Sequence, residues 1–255
     1  MASRRWHLWW WLLALATACW AGDNATSHSG TKTKARTVRT EAAAPAVHGA
    51  AAGEPVDRSG LDGGQEWIWS DLMAGNARFV AGQPRLRDWP AARVELLPGQ
   101  RPRAIVLGCA DSRVPPEAVF DQGLGDLFVV RTAGNVADRI ALGSMEYAVE
   151  HLHVPLLVVL GHRKCGAVTA AAGGEPMPTA NLTAIMDRIA PAVARYRATA
   201  AGEQLVNLAI EGNVDQSARD ILTNSPILTE AAAAGRLAVV RAVYEMESGR
   251  VVRRP

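Results

Sequence analysis

Four short runs of nearly unbroken apolar residues punctuate the chain, at residues 104–107, 127–130, 156–160 and 237–244, the last interrupted by Arg241. The first and third stop at a glycine, Gly108 and Gly161. Runs this short, rich in branched side chains and without alternation, suit strands covered on both faces, as in a parallel sheet. Between them, residues 137–152, 181–199 and 204–223 carry helical patterns. Residues 65–81 read as an amphipathic helix with Trp69, Leu72, Met73, Phe79 and Val80 on its buried side, ended by Gly82-Gln83-Pro84 because proline cannot continue a helix. Residues 84–102 hold five prolines and glycines and read as an irregular crossing. Strands alternating with helices predict an α/β fold, a mainly parallel β-sheet core flanked by helices. No internal repeat is visible.

The pattern changes before residue 61. Arg4-Arg5 precede eleven apolar or small residues, 8–18, which end in Ala16-Thr17-Ala18 and lead into Cys19-Trp20-Ala21. A basic start, a short apolar middle and a small-residue exit are the three parts of a secretory signal peptide. Cleavage after Ala18 or Ala21 fits residues 1–21. A lipid anchor at Cys19 is disfavoured because Ala16 stands where such sites usually carry leucine, and His7 argues against a twin-arginine signal. Residues 22–60, rich in Ala, Thr, Ser, Gly and Lys, show no periodicity and are expected to form a flexible linker. The folded domain is then residues 61–255, and the export signal predicts a bacterial periplasmic or cell-surface location.

Composition narrows the function classes. The chain has 255 residues, 49% hydrophobic and 20% charged, with 27 basic against 25 acidic side chains and a net charge of +2. That balance excludes the strongly basic character of nucleic-acid binders. Three cysteines exclude a disulfide framework. No apolar run reaches the roughly 18–20 residues of a membrane span. With Cys19, His7, His28 and His48 in the front end, the domain keeps two cysteines and three histidines.

Both cysteines follow apolar runs. Gly108-Cys109-Ala110-Asp111-Ser112-Arg113 leaves the first run, and Gly161-His162-Arg163-Lys164-Cys165-Gly166 leaves the third. Sites in open α/β sheets form beyond the carboxyl ends of the strands. Cys109, His162 and Cys165 make a Cys₂His set, which suits zinc and leaves a fourth tetrahedral position for water. His151 and His153, near a helix end, point different ways and are expected to be solvated. Taken singly, each signal has an ordinary reading: a buried cysteine, a Cys–His nucleophile pair, or a helix cap at Asp111 or Ser112. Their joint appearance after two strands favours zinc.

Cys109-Ala-Asp111-Ser-Arg113 with His162-x-x-Cys165 resembles the β-class carbonic anhydrases. The resemblance extends to Gly99-Gln100-Arg-Pro102, Val114-Pro-Pro-Glu117, residues 125–135, Gly143-Ser-Met-Glu-Tyr147 and Glu211-Gly-Asn-Val, covering roughly residues 65–252. It implies one zinc per subunit on Cys109, His162 and Cys165, and an Asp111–Arg113 dyad. It also implies a substrate pocket at Gln100, Phe128, Tyr147 and Gly166, with the aromatics often supplied across a dimer interface. The implied reaction is reversible hydration of CO₂ to bicarbonate and a proton through zinc-bound hydroxide, in a homodimer or higher even oligomer. Two thiolates leave the metal formally neutral, so activity should rise on the alkaline side of neutral. Arg163-Lys164 departs from the family, which more often has a small or polar residue after this histidine, and is expected to alter the charge at the pocket mouth. The alternatives are a related zinc hydrolase of carbon disulfide or carbonyl sulfide, a non-catalytic zinc- or bicarbonate-binding module, and a metal-free Cys–His enzyme.

Overall fold

The computed structural model describes residues 64–255. The signal and linker expectations, residues 1–21 and 22–60, lie outside the described residues.

Five strands form one sheet in the order β2-β1-β3-β4-β5: β1 Ala104–Cys109, β2 Leu127–Thr132, β3 Leu156–His162, β4 Ala238–Tyr244 and β5 Val251–Arg253. β1 to β4 are parallel, and β5 pairs antiparallel with β4 at the edge. The eight helices among the described residues are α1 Gly64–Val80, α2 Trp89–Glu95, α3 Pro116–Val119, α4 Arg139–Leu152, α5 Gly166–Gly173, α6 Ala180–Ala194, α7 Gly202–Asn224 and α8 Pro226–Ala233. None is long and apolar enough to cross a membrane.

The unbroken apolar runs have the predicted cause. Ile105, Leu107, Leu157 and Val159 face one core, packed by α4 to α8, while Ala104, Val106, Leu156, Val158 and Leu160 face a second, packed by α1 and α3. Side chains alternate between faces, so a central strand buried on both sides must be apolar throughout. Between strands, Asp138 accepts from the N–H groups of Ile140 and Ala141 to start α4, and His153 ends it in the left-handed region, φ 53°.

Several elements differ from the periodicity. The crossing at 84–102 contains α2, started by Asp88, whose carboxylate accepts from the Ala91 N–H, with a proline in its first turn. α6 ends at Ala194, earlier than the pattern implies. Val80 is exposed, whereas Asn76 is buried in its place. Asn76 donates to the carbonyls of Val119 and Gly249 and accepts from the Val251 N–H, tying α1 to α3 and β5. α1 can lie that close because a Cβ on Gly75 would stand 1.8 Å from the Phe120 carbonyl oxygen.

Asp121, buried just after α3, accepts from Arg78 (2.5 Å), Arg87 (2.6 Å) and the Arg85 N–H. Burial alone would raise its pKa, but the two guanidinium groups outweigh it and hold the carboxyl below its usual range. Asp121 has φ 46°, a conformation asparagine tolerates. Asp121→Asn therefore removes the charge and one acceptor without straining the backbone. It is expected to cost about 2 kcal/mol at pH 7, discounted from a fully buried pair because both arginines are partly exposed. Because the folded pKa is depressed, the deficit should narrow below about pH 4. Chemical denaturation at pH 7 and pH 3 checks both.

Candidate metal centre

β1 and β3 are hydrogen-bonded neighbours running the same way, so Cys109 and His162 leave the sheet at the same carboxyl end. Cys165 follows one turn later as the residue that starts α5. The donor atoms of Cys109, His162 and Cys165 all lie within 4.8 Å of one another, and all three residues are buried. This is the one such cluster among the described residues.

Three observations show that these donors fit a metal ion. The sulfurs stand 4.0 Å apart as free thiols, close to the roughly 3.8 Å between two sulfurs on a tetrahedral zinc. His162 Nδ1 pairs with the Arg163 carbonyl at 2.9 Å, while its fully buried Nε2 has no hydrogen-bond partner. An imidazole held by one nitrogen with the other left bare is the second-shell arrangement of a metal ligand. Lastly, the thiols oppose each other electrostatically. A hydrogen bond from Cys165, outweighing burial, lowers Cys109 to about 4, helped by His162 and by the backbone N–H groups of Asp111 and Gly134. The same hydrogen bond, burial and the Cys109 charge push Cys165 up. Bringing Cys165 to the thiolate form beside the Cys109 thiolate would take a cation between them.

The surrounding backbone is shaped to serve the sulfurs. Gly134, in a 3₁₀ turn after β2, donates its N–H to Cys109 Sγ at 3.3 Å. Its φ is +70°, and a Cβ there would meet Ile189 at 2.7 Å, so glycine is required. Asn213 and Ser217 on α7 donate to the carbonyls of Gly134 and Asn135 at 2.7 and 2.9 Å.

Asp111 lies beside this triangle, with Oδ2 3.9 Å from His162 Nε2. It is turned towards Arg113, which donates through Nε at 2.9 Å and Nη2 at 2.7 Å, with the Arg113 N–H adding a third bond at 3.0 Å. That pairing holds the Asp111 carboxyl well below the usual carboxylate range, so it is ionised at neutral pH.

A carbonic anhydrase family model matches residues 104–251. Carbonic anhydrase 2 of Mycobacterium tuberculosis is 44% identical over 190 residues, 73% of this chain and 91% of the relative. A carbonic anhydrase of Mycolicibacterium smegmatis is 45% identical over 188 residues, 72% and 90%. Among solved structures, the β-carbonic anhydrase CafA of Aspergillus fumigatus superposes with a TM-score of 0.59 at 28% identity, over 73% of this chain and 90% of its own. A tetrameric β-carbonic anhydrase of Sordaria macrospora gives 0.59 at 26%, over 74% and 97%.

The chain belongs to the β-carbonic anhydrase family.

It is thus an enzyme of a lyase family, and the residues that could hold a metal ion are ones that sequence spacing already singles out. Not every expected residue joins them. Gly166, the first residue of α5, is exposed next to Cys165, with nothing within 4 Å of where a Cβ would be. Phe128, by contrast, pairs with Ile105, four residues before Cys109 and about 13 Å back along the sheet. Tyr147 on α4 is half exposed, its ring 6.4 Å from that of Phe128. Gln100 is exposed on the approach to the opposite end of β1 from Cys109. The His151 ring lies 5.0 Å from that of Tyr147 in a tilted contact, and His153 caps α4, so both keep the ordinary roles expected of them.

Two arginines gain roles the motifs do not announce. Arg131, late in β2, donates to the carbonyls of Cys109 (2.9 Å) and Asp111 (2.5 Å), bracing the turn that carries both. Its signal in sequence is a lone charge at the carboxyl end of an apolar strand. Arg163 corrects an expectation. Its guanidinium does not charge the pocket mouth but is tied up by Glu211 on α7 and Glu245 after β4. Lys164 is exposed and pairs with Glu247 at 2.5 Å.

Proposed function

We propose that the protein catalyses the reversible hydration of CO₂ to bicarbonate and a proton at a zinc ion held by Cys109, His162 and Cys165. The observation that carries this reading is the convergence of three buried donors, His162 Nε2 bare among them, beside an ionised Asp111–Arg113 pair. When bound, zinc would supply the Lewis acidity that makes water nucleophilic near neutral pH. Cys109 and Cys165 balance its charge, and His162, hydrogen-bonded through Nδ1, offers Nε2. Asp111 accepts a hydrogen bond from the attacking oxygen and turns its lone pair towards the carbon of CO₂. Arg113 keeps Asp111 ionised and fixes its rotamer.

Gln100, Phe128 and Tyr147 lie away from their own chain's cluster, which supports a site they complete on a second copy. β2 is a sheet edge, and the side chains of Trp89, Val94, Leu97 and Ile140 are exposed. Such an apolar surface suits burial in a homodimer or higher even oligomer. The Sordaria relative is described as tetrameric. The order of residues 1–21 supports export to a bacterial periplasm or cell surface.

The test is stopped-flow CO₂ hydration on protein of known zinc content, with and without a chelator, beside carbon disulfide and carbonyl sulfide. Hydration in proportion to bound zinc is expected. Full activity without metal, or turnover of the sulfur compounds alone, overturns the reading.

A further inference from the structure

Resting on that functional reading, we propose that Arg163 is a positioning residue: through the turn it anchors, it sets the orientation of the ligand His162 and of the dyad arginine Arg113. Arg163 touches neither substrate nor metal. Its three guanidinium nitrogens all point away from the site. Nε donates to Glu245 at 3.1 Å, Nη1 to the Asn207 carbonyl at 3.0 Å and Nη2 to Glu211 at 2.6 Å. Its backbone N–H donates to the Tyr244 carbonyl at 2.9 Å. One residue thus fastens the turn after β3 to both α7 and the end of β4.

What that turn presents on its other side is the site. The Arg163 carbonyl pairs with His162 Nδ1 at 2.9 Å. The next carbonyl, that of Lys164, accepts from Arg113 Nη2 at 3.3 Å. Two consecutive carbonyls therefore aim a metal ligand and the partner of Asp111. Between them Lys164 sits at φ 57°, a left-handed conformation that a non-glycine residue holds only when its surroundings impose it. The Lys164–Glu247 pair is too exposed to impose much. The clamp of Arg163 onto two elements is what holds it there. Released from it, the turn relaxes, both carbonyls rotate, and the His162 ring loses its Nδ1 partner. Glu211 also binds Arg254 at 2.6 Å, so the clamp itself is held from the chain's last residues.

The experiment uses the full zinc-loaded chain and its Arg163→Met, Glu245→Ala and double variants. Methionine keeps an apolar stem and removes every side-chain donor, leaving the backbone bond to Tyr244. Zinc release to an excess of a coloured chelator is timed, thermal unfolding is recorded in parallel, and kcat is measured. Loss of a partner that orients a metal-bound histidine typically costs roughly 10- to 100-fold in metal affinity or activity. Arg163→Met is expected to release zinc at least about 10-fold faster and Glu245→Ala about 3-fold faster. The double variant should match Arg163→Met, since the two act through one contact. Arg163→Lys should restore part of the retention. Variants that unfold at lower temperature yet release zinc at the wild-type rate overturn the proposal, because the clamp is then only structural. If Arg163→Met does not fold, Glu245→Ala alone decides by the same criterion. A wild-type chain that holds no zinc overturns the functional reading and this inference together. A wild-type chain that holds zinc and hydrates CO₂ while the variants release zinc normally overturns this inference alone.

Discussion

Cys109→Ser, or His162→Ala, is expected to remove bound zinc and CO₂ hydration together, the activity falling by at least about 1,000-fold. The size follows from losing the several kcal/mol by which a metal stabilises developing charge, each 1.36 kcal/mol being tenfold in rate. The two substitutions fail for different reasons. Serine at Cys109 keeps the size of the side chain but offers a hydroxyl that does not ionise at neutral pH, although the Gly134 N–H and the neighbouring groups are arranged to hold a thiolate. Alanine at His162 removes the one imidazole and leaves the Arg163 carbonyl without its partner. The fold should survive both, because the two cores on either side of the sheet draw on many other residues. Metal analysis, stopped-flow hydration and circular dichroism on the same samples check this. Full activity of Cys109→Ser with no bound metal would sink the mechanism.

Asp111→Asn is expected to keep zinc at the wild-type level yet lower kcat by roughly 100-fold, the order seen when one preorganised polar group at a reacting oxygen is lost. Asparagine is nearly isosteric and can still accept from Arg113, but it cannot carry the charge that Arg113 stabilises. The group facing the attacking oxygen can also become a donor, which would hold the oxygen the wrong way round. KM should change little, since the lost interaction is made mainly in the transition state. Zinc content and the kcat-against-KM split are the measurements. An Asp111→Asn enzyme as fast as the wild type removes Asp111 from the mechanism. Arg113→Met should show a weaker form of the same defect, because Asp111 would then lose both side-chain hydrogen bonds and retain only the one from the backbone.

The elements legible in the chain were those whose pattern is set by burial alone. β1 and β3 are buried at every position, and α4 and α7 are long enough for their apolar faces to repeat. The short elements were not legible. α2 buries none of its residues, α5 is mostly glycine and alanine with little contrast between its faces, and β5 has only three residues. Asn76 reads as an exposed polar position because its three backbone partners lie 43 to 175 residues away. Arg163 misled for a similar reason: its charge is visible locally, whereas Glu211 and Glu245 become its neighbours only once α7 and β4 are in place.

The order of residues along this chain determined which donors exist, that they follow buried strands, and that a carboxylate and a guanidinium stand two apart beside one of them. These are local properties, encoded by hydrophobicity and spacing within a few residues. The tertiary structure decided that Cys109 and Cys165, 56 residues apart, share one point, that Asp111 turns to Arg113, and that Phe128 and Tyr147 lie far from their own chain's cluster. Those outcomes depend on β1 lying between β2 and β3 with all three parallel, and strand order arises from packing the two cores against each other across the whole domain.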